Sequence, residues 1–222
     1  EVLCDMADKL EAAEDLPMAI HDMIKDTIAA HNRIIFNGNG YSDEWVAEAE
    51  RRGLPNIKCM VDAVPALVKP EAVEIFEKHG VYTKAEMESR AEVMYETYSK
   101  TINIEALTMI DMAKKQIVPA TIKYQTSLAE SVNAIKAASS AVDTSVQEAL
   151  MADISTNLKD MYAALAHLEE VAGKAEAMEE GAEQGHYYHD VVFTAMDELR
   201  KPADKLEMLV AKSAWPFPSY GD

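Results

Sequence analysis

The chain has 222 residues, 49% of them hydrophobic and 27% charged, and its 39 acidic against 21 basic side chains leave a formal charge of −18. That length buries a core without metals or disulfides, and the composition is that of an ordinary soluble protein. The acidic surplus repels nucleic-acid phosphates and anionic bilayers, and no apolar run approaches the roughly 20 residues that span one, so neither nucleic acid nor membrane is an expected partner. With only 8 Gly and 8 Pro among abundant Ala, Glu, Met and Leu, an all-α fold is predicted. Cys4 and Cys59 are the only cysteines. They lack metal-ligand spacing and predict a reducing cytoplasm. The chain opens on Glu1, without a basic-then-apolar leader and inside a helical pattern. We expect a piece of a longer polypeptide.

Val2, Leu3, Met6 and Leu10 share one face of a first helix. Pro17 suits the first turn of a second, running to about Arg33. Phe36 to Tyr41 is a loop whose two Asn-Gly pairs favour positive φ. Ser42 caps the next helix, Asp43 and Glu44 face its positive end, and Arg51, Arg52 and Gly53 close it. A short helix holds Val61 and Val64 among Pro55, Pro65 and Pro70. Another runs from Glu71 to His79 and stops at Gly80. Thr83 and Glu86 have capping-box spacing and start a longer helix, with a break or bend near Ser99. The stretch from Ser99 to Ala120 then reads as one helix interrupted at Pro119.

Beyond residue 100 the apolar residues recur by three and four. Leu107, Ile110, Lys114, Ile117, Thr121, Tyr124 and Leu128 form one stripe, Met151, Ile154, Leu158, Met161, Leu165 and Leu168 a second, and Val192, Ala195, Leu199, Pro202, Leu206 and Leu209 a third. Such stripes between turns, one of them at Ser139 to Thr144, predict antiparallel long helices packed as a bundle or hairpins. Gly173 to Gly185 reads as an acidic, solvated connector, with a helical form as the alternative. Trp215 to Tyr220 is held extended by two prolines, with Trp215 and Phe217 anchored in grooves.

Candidate sites are sparse. Glu183 and His186 have the i, i+3 spacing of a metal-binding bundle pair, but no other histidine has Glu three residues before it. His186, His189 and Asp190 suit acid–base work yet lack a poised nucleophile, so a polar helix start is the plainer reading. Glutamates 169, 170, 176, 179, 180 and 183 form a solvated acidic face. The thirteen methionines fill cores at helical spacing. Asn37, Gly38, Asn39, Gly40 and Tyr41 form the candidate functional loop. They lack the spacing, the following Lys and the preceding strand of a phosphate loop, so a tight turn aiming backbone at a neighbour is favoured. No catalytic, cofactor-binding or metal residue is assigned.

Four stretches carry a family resemblance: Arg33 to Trp45, Phe76 to Thr83, Tyr98 to Gln116, and Ala203 to Glu207 with Trp215 to Pro218. In this order they resemble the C-terminal part of type III glutamine synthetases. The resemblance implies a ligase that joins glutamate and ammonia through γ-glutamyl phosphate, using ATP and Mg2+ or Mn2+. It also implies ring-shaped homo-oligomers with active sites between neighbouring subunits. The family's metal-binding glutamates and its Glu-Phe-Arg stretch have no counterpart here, so no cofactor is expected in this segment. Its partners are the remainder of the parent chain and adjacent subunits. The resemblance places residues 1–99 at the helical C-terminal end of the catalytic region. Residues 100–222 then form a helical extension serving assembly or regulation. A free-standing helical interaction module and, further off, a metal-binding helical bundle are the alternatives.

Overall fold

The computed structural model describes residues 1–218, and Ser219 and Tyr220 of the expected extended tail lie outside them. Among the described residues there are helices and no strand, an all-α protein. Contacts divide the chain into two units, residues 1–87 and residues 88 onward. The division expected at residues 99/100 falls inside a helix of the second unit.

In the first unit, α1 (Val2–Glu11) packs on α2 (Leu16–His31). Asp15 caps α2 by accepting from the Met18 N–H at 3.2 Å, and Pro17 occupies its first turn, where no donor is lost. A 3-10 turn (Asn32–Ile34) ends in the loop that leads to α3 (Asp43–Arg51). Gly53 then takes φ +71°, so that Leu54 N–H reaches back to the Ala49 carbonyl at 2.9 Å. Next come α4 (Met60–Leu67), which buries Val61 and Val64, and α5 (Pro70–Lys78), which buries Val73. Pro65 lies inside α4. Gly80, at φ +63°, stops α5.

Helix α6 (Lys84–Met112) starts from a reciprocal capping box. Thr83 N–H donates to Glu86 Oε2 at 2.8 Å, and Glu86 N–H donates to Thr83 Oγ1 at 3.3 Å. It runs through Ser99 without the expected break. The interruption expected at Pro119 lies one turn earlier, as a π-helical turn over Ala113–Ile117, before α7 (Val118–Ala138). Pro119 has no N–H and its ring crowds the preceding turn. The chain accommodates it by widening, and Val118 N–H bonds the Ala113 carbonyl five residues back. After the expected turn, α8 (Ser145–Glu176) returns alongside α7, with Lys136 paired to Glu148 and Lys114 to Glu169.

The acidic stretch at 173–185 is mostly not a connector. Helix α8 continues to Glu176, and α9 (Ala182–Tyr187) begins six residues later. Gln184 is buried and donates Nε2–H to the Ala175 carbonyl at 3.0 Å, a second bond to an oxygen at the end of α8 that also accepts from Met178 N–H at 3.2 Å. A second π-helical turn (Tyr188–Val192) joins α9 to α10 (Phe193–Leu209), which packs along α8. The second unit is thus three rods running up, down and up. Ile154, Met161, Leu165 and Leu168 of α8 meet Val192, Ala195, Leu199 and Leu206 in one core. Each large aliphatic chain fully buried there contributes about 1.5–3 kcal/mol. Trp215 and Phe217 pack against that core, as expected, and their own rings meet edge-to-face with centroids 6.3 Å apart. They line a cavity of about 400 Å3 together with Met109, Met112, Met161 and Leu199.

Candidate functional site

The loop from Asn37 to Tyr41 is built from both sides. Asn39 organises its tip: its Oδ1 accepts from Tyr41 N–H at 3.0 Å, and its carbonyl accepts from Ser42 N–H at 3.2 Å and from Ser42 Oγ at 3.0 Å. Ser42 Oγ in turn accepts from Trp45 N–H at 3.3 Å, capping α3 as its sequence position requires. Loop tip and helix start are therefore one hydrogen-bonded unit. At its apex Tyr41 is 100% exposed, a phenol held out to solvent.

The loop's stem is an aromatic and cationic stack. Phe36 lies on Trp45 with ring centroids 4.1 Å apart and planes 19° from parallel. The Arg52 guanidinium sits 5.4 Å from the centroid of the Trp45 ring. Its Nη1 donates to the carbonyls of Arg33 at 3.1 Å and Ile35 at 3.0 Å, and its Nε donates to Glu48 Oε1 at 2.6 Å. Arg51 grips the same carboxylate with two bonds of 2.6 Å. Hydrogen bonds from Arg51 and then Arg52 hold the Glu48 carboxyl at about 2, against its ordinary 4.5. Sequence reading placed Arg51 and Arg52 only as cations closing α3. The available signal was Glu48, three and four residues before them, with Trp45 seven residues before Arg52 on the same face.

The glycines of this loop do not act by positive φ. Among the described residues only Gly53, Gly80 and Gly181 have it. Gly38 is instead a close approach, since a Cβ there would stand 2.5 Å from the end of the Phe36 ring. Gly40 has open space around it. The arrangement does not form a phosphate cradle. The first turn of α3 carries Asp43 and Glu44, and the Trp45 N–H is already taken by Ser42.

The other candidates are dispersed. The rings of His186 and His189 each stand 6.4 Å from a tyrosine of α6, Tyr95 and Tyr98 respectively, and His189 Nδ1 lies 2.7 Å from Asp190. Among the described residues no three His, Cys, Asp or Glu side chains converge to hold a metal ion. Glu169 pairs with Lys114 and Glu170 with Lys174. No helix of the described residues is long and apolar enough to cross a membrane.

Residues 19–136 match the glutamine synthetase C-terminal domain family, and the chain belongs to it. The match crosses both units and contains the whole Phe36–Trp45–Arg52 assembly. The chain is 37% identical over 211 residues to a glutamine synthetase of Butyrivibrio fibrisolvens, covering 95% of this chain and 30% of that one. It is 29% identical over 208 residues to the type-3 glutamine synthetase of Dictyostelium discoideum, covering 92% and 28%. To a glutamine synthetase of Bacteroides fragilis it is 30% identical over 206 residues, covering 91% and 28%. The resemblance read from the four motif stretches is met: the family is that of the glutamine synthetase C-terminal domain, and a type-3 glutamine synthetase is among the relatives. The chain spans about 30% of the length of the curated relatives it matches.

Proposed function

We propose that these 222 residues serve assembly or regulation in a cytoplasmic, ATP-dependent glutamate–ammonia ligase whose catalytic residues lie elsewhere in the parent polypeptide. In that reading the parent makes glutamine through γ-glutamyl phosphate and holds ATP and Mg2+ or Mn2+ outside this segment. Its subunits form a homo-oligomeric ring. The observation that carries the reading is the state of α1 and α2. Neither helix buries a single residue, although Leu3, Leu16, Met18, Ile24 and Ile28 are large and apolar. Leu3 is 80% exposed. Apolar helices left bare in this way are made to be covered by further protein. Ligation also needs several carboxylates converging on metals between ATP and glutamate. The acidic side chains described above are instead engaged in surface ion pairs or spread along helix faces.

The experiment compares the full parent polypeptide with one lacking residues 88–222. Particle mass by light scattering and glutamine formation with and without candidate effectors are measured together. A changed ring or a lost effector response is expected. An intact ring with unchanged kinetics and regulation would sink the assembly-or-regulation role, and ATP turnover by the isolated 222 residues would sink the placement of the catalytic residues.

A further inference from the structure

A polar cavity of about 240 Å3 opens in the second unit between α6, the end of α8 and the start of the third rod. Two residues one turn apart on α6 form its floor. Ser99 is only 4% exposed, and its hydroxyl has no hydrogen-bond partner. Asn103 presents a buried amide oxygen that is likewise unpartnered. Buried polar atoms in native proteins are nearly always satisfied, and leaving one bare carries its full desolvation penalty. Both residues line the same cavity, four apart on one helix face, with the two unpartnered atoms just behind its wall.

The rim of the cavity is acidic. Glu96, Glu176 and Glu180 line it with a single cation, Lys100, which is engaged by Glu96. Three carboxylates thus share one cation: Lys100 is bonded to Glu96 and also feels Glu180. Glu176 is also the last residue of α8, where the helix dipole adds negative potential. Acceptors below and negative charge above reject an anion. No three metal-ligating side chains converge among the described residues, so a coordinated metal ion is not what the cavity is shaped for.

We propose that this cavity binds a small aliphatic diamine, whose N–H groups donate to the Ser99 hydroxyl and the Asn103 amide oxygen while its charges face Glu176 and Glu180. An ammonium group carries three donors and no acceptor, the complement of such a floor. Its two charges offset the net excess of two carboxylates over cations in the lining. Neither the ligase reaction nor the assembly role assigns this site.

Putrescine is the probe, and tetramethylammonium, which has charge but no N–H, is the control. Both are titrated calorimetrically into the full parent polypeptide and into its Glu180→Gln and Ser99→Ala variants. Saturable putrescine binding is expected, weakened about tenfold or more in each variant because each loses a charge-assisted contact. The control is expected to bind far more weakly. Ser99→Ala removes an unsatisfied buried hydroxyl, so the unliganded variant is expected to melt no lower than the parent. Glu180 is exposed, and its variant keeps the test open should Ser99→Ala fold poorly. Absence of saturation at millimolar putrescine, equal binding of tetramethylammonium, or wild-type affinity in both variants would overturn the site.

Discussion

Phe36 stacks on Trp45 at 4.1 Å, and the space its ring occupies is the space a side chain at position 38 would need. Two glycines that look equivalent in the sequence therefore differ in consequence. Gly38→Ala is expected to push the Phe36 ring off Trp45 and cost about 1–2 kcal/mol, from the lost aromatic pair and an off-rotamer ring. Gly40→Ala faces open space and is expected to be near neutral. Denaturation midpoints and Trp45 fluorescence of the two variants check this, and equal effects would show that the ring does not hold position 38.

Arg52 ties the residues before the loop to the helix after it by bonding the carbonyls of Arg33 and Ile35. Lysine offers a point charge in place of a planar fork and cannot reach both carbonyls and Glu48 together. Arg52→Lys is expected to cost about 1–3 kcal/mol, the range for hydrogen bonds to a charged group. The loss should appear as faster amide exchange at Tyr41 and Trp45.

Glu48 titrates with a folded value of about 2 against an ordinary 4.5. A carboxyl lowered in the folded state stabilises it above the ordinary value, and that stabilisation is lost as pH falls through the folded value. Stability measured through Trp45 should therefore fall as the pH drops from about 4.5 toward about 2. Glu48→Gln should flatten that part of the profile. The measurement is denaturant unfolding at stepped pH in a Trp215→Phe background, which leaves Trp45 as the sole tryptophan emitter.

Met161 is fully buried at the centre of the second unit. Met161→Ala is expected to cost about 2–5 kcal/mol through lost burial and the cavity left behind. Calorimetry on the variant tests whether the three rods are held by that core.

Local chemistry was the most legible part of this fold. The Ser42 cap, the Thr83–Glu86 box and the Gly80 stop all depend on residues within one turn of each other, and each stands where sequence spacing puts it. The apolar stripes likewise name the buried residues of α8 and α10. Features set by distant partners were not legible. Ser99 looks like a helix breaker because it sits between two patterns, but α6 is a single rod lying against the third one through Tyr95 and Tyr98. The 173–185 stretch looks solvated because its glutamates dominate its composition, while Gln184 and Ala175 are buried against each other. In the candidate loop the Asn-Gly pairs signal a turn, but nothing local shows that Gly38 answers to an aromatic ring or that Arg52 reaches back across it. The π-helical turn at Tyr188–Val192 has no proline to announce it.

The seat of Trp215 and Phe217 bears on how this protein ages. Beneath those rings lie the thioethers of Met109, Met112 and Met161, polarizable sulfurs that peroxide converts to polar sulfoxides. Met109 and Met112 are already partly exposed, and only Met161 is fully shielded. Loss of the two rings would uncover Met161 as well, and a sulfoxide there would put a polar group where residues of all three rods meet.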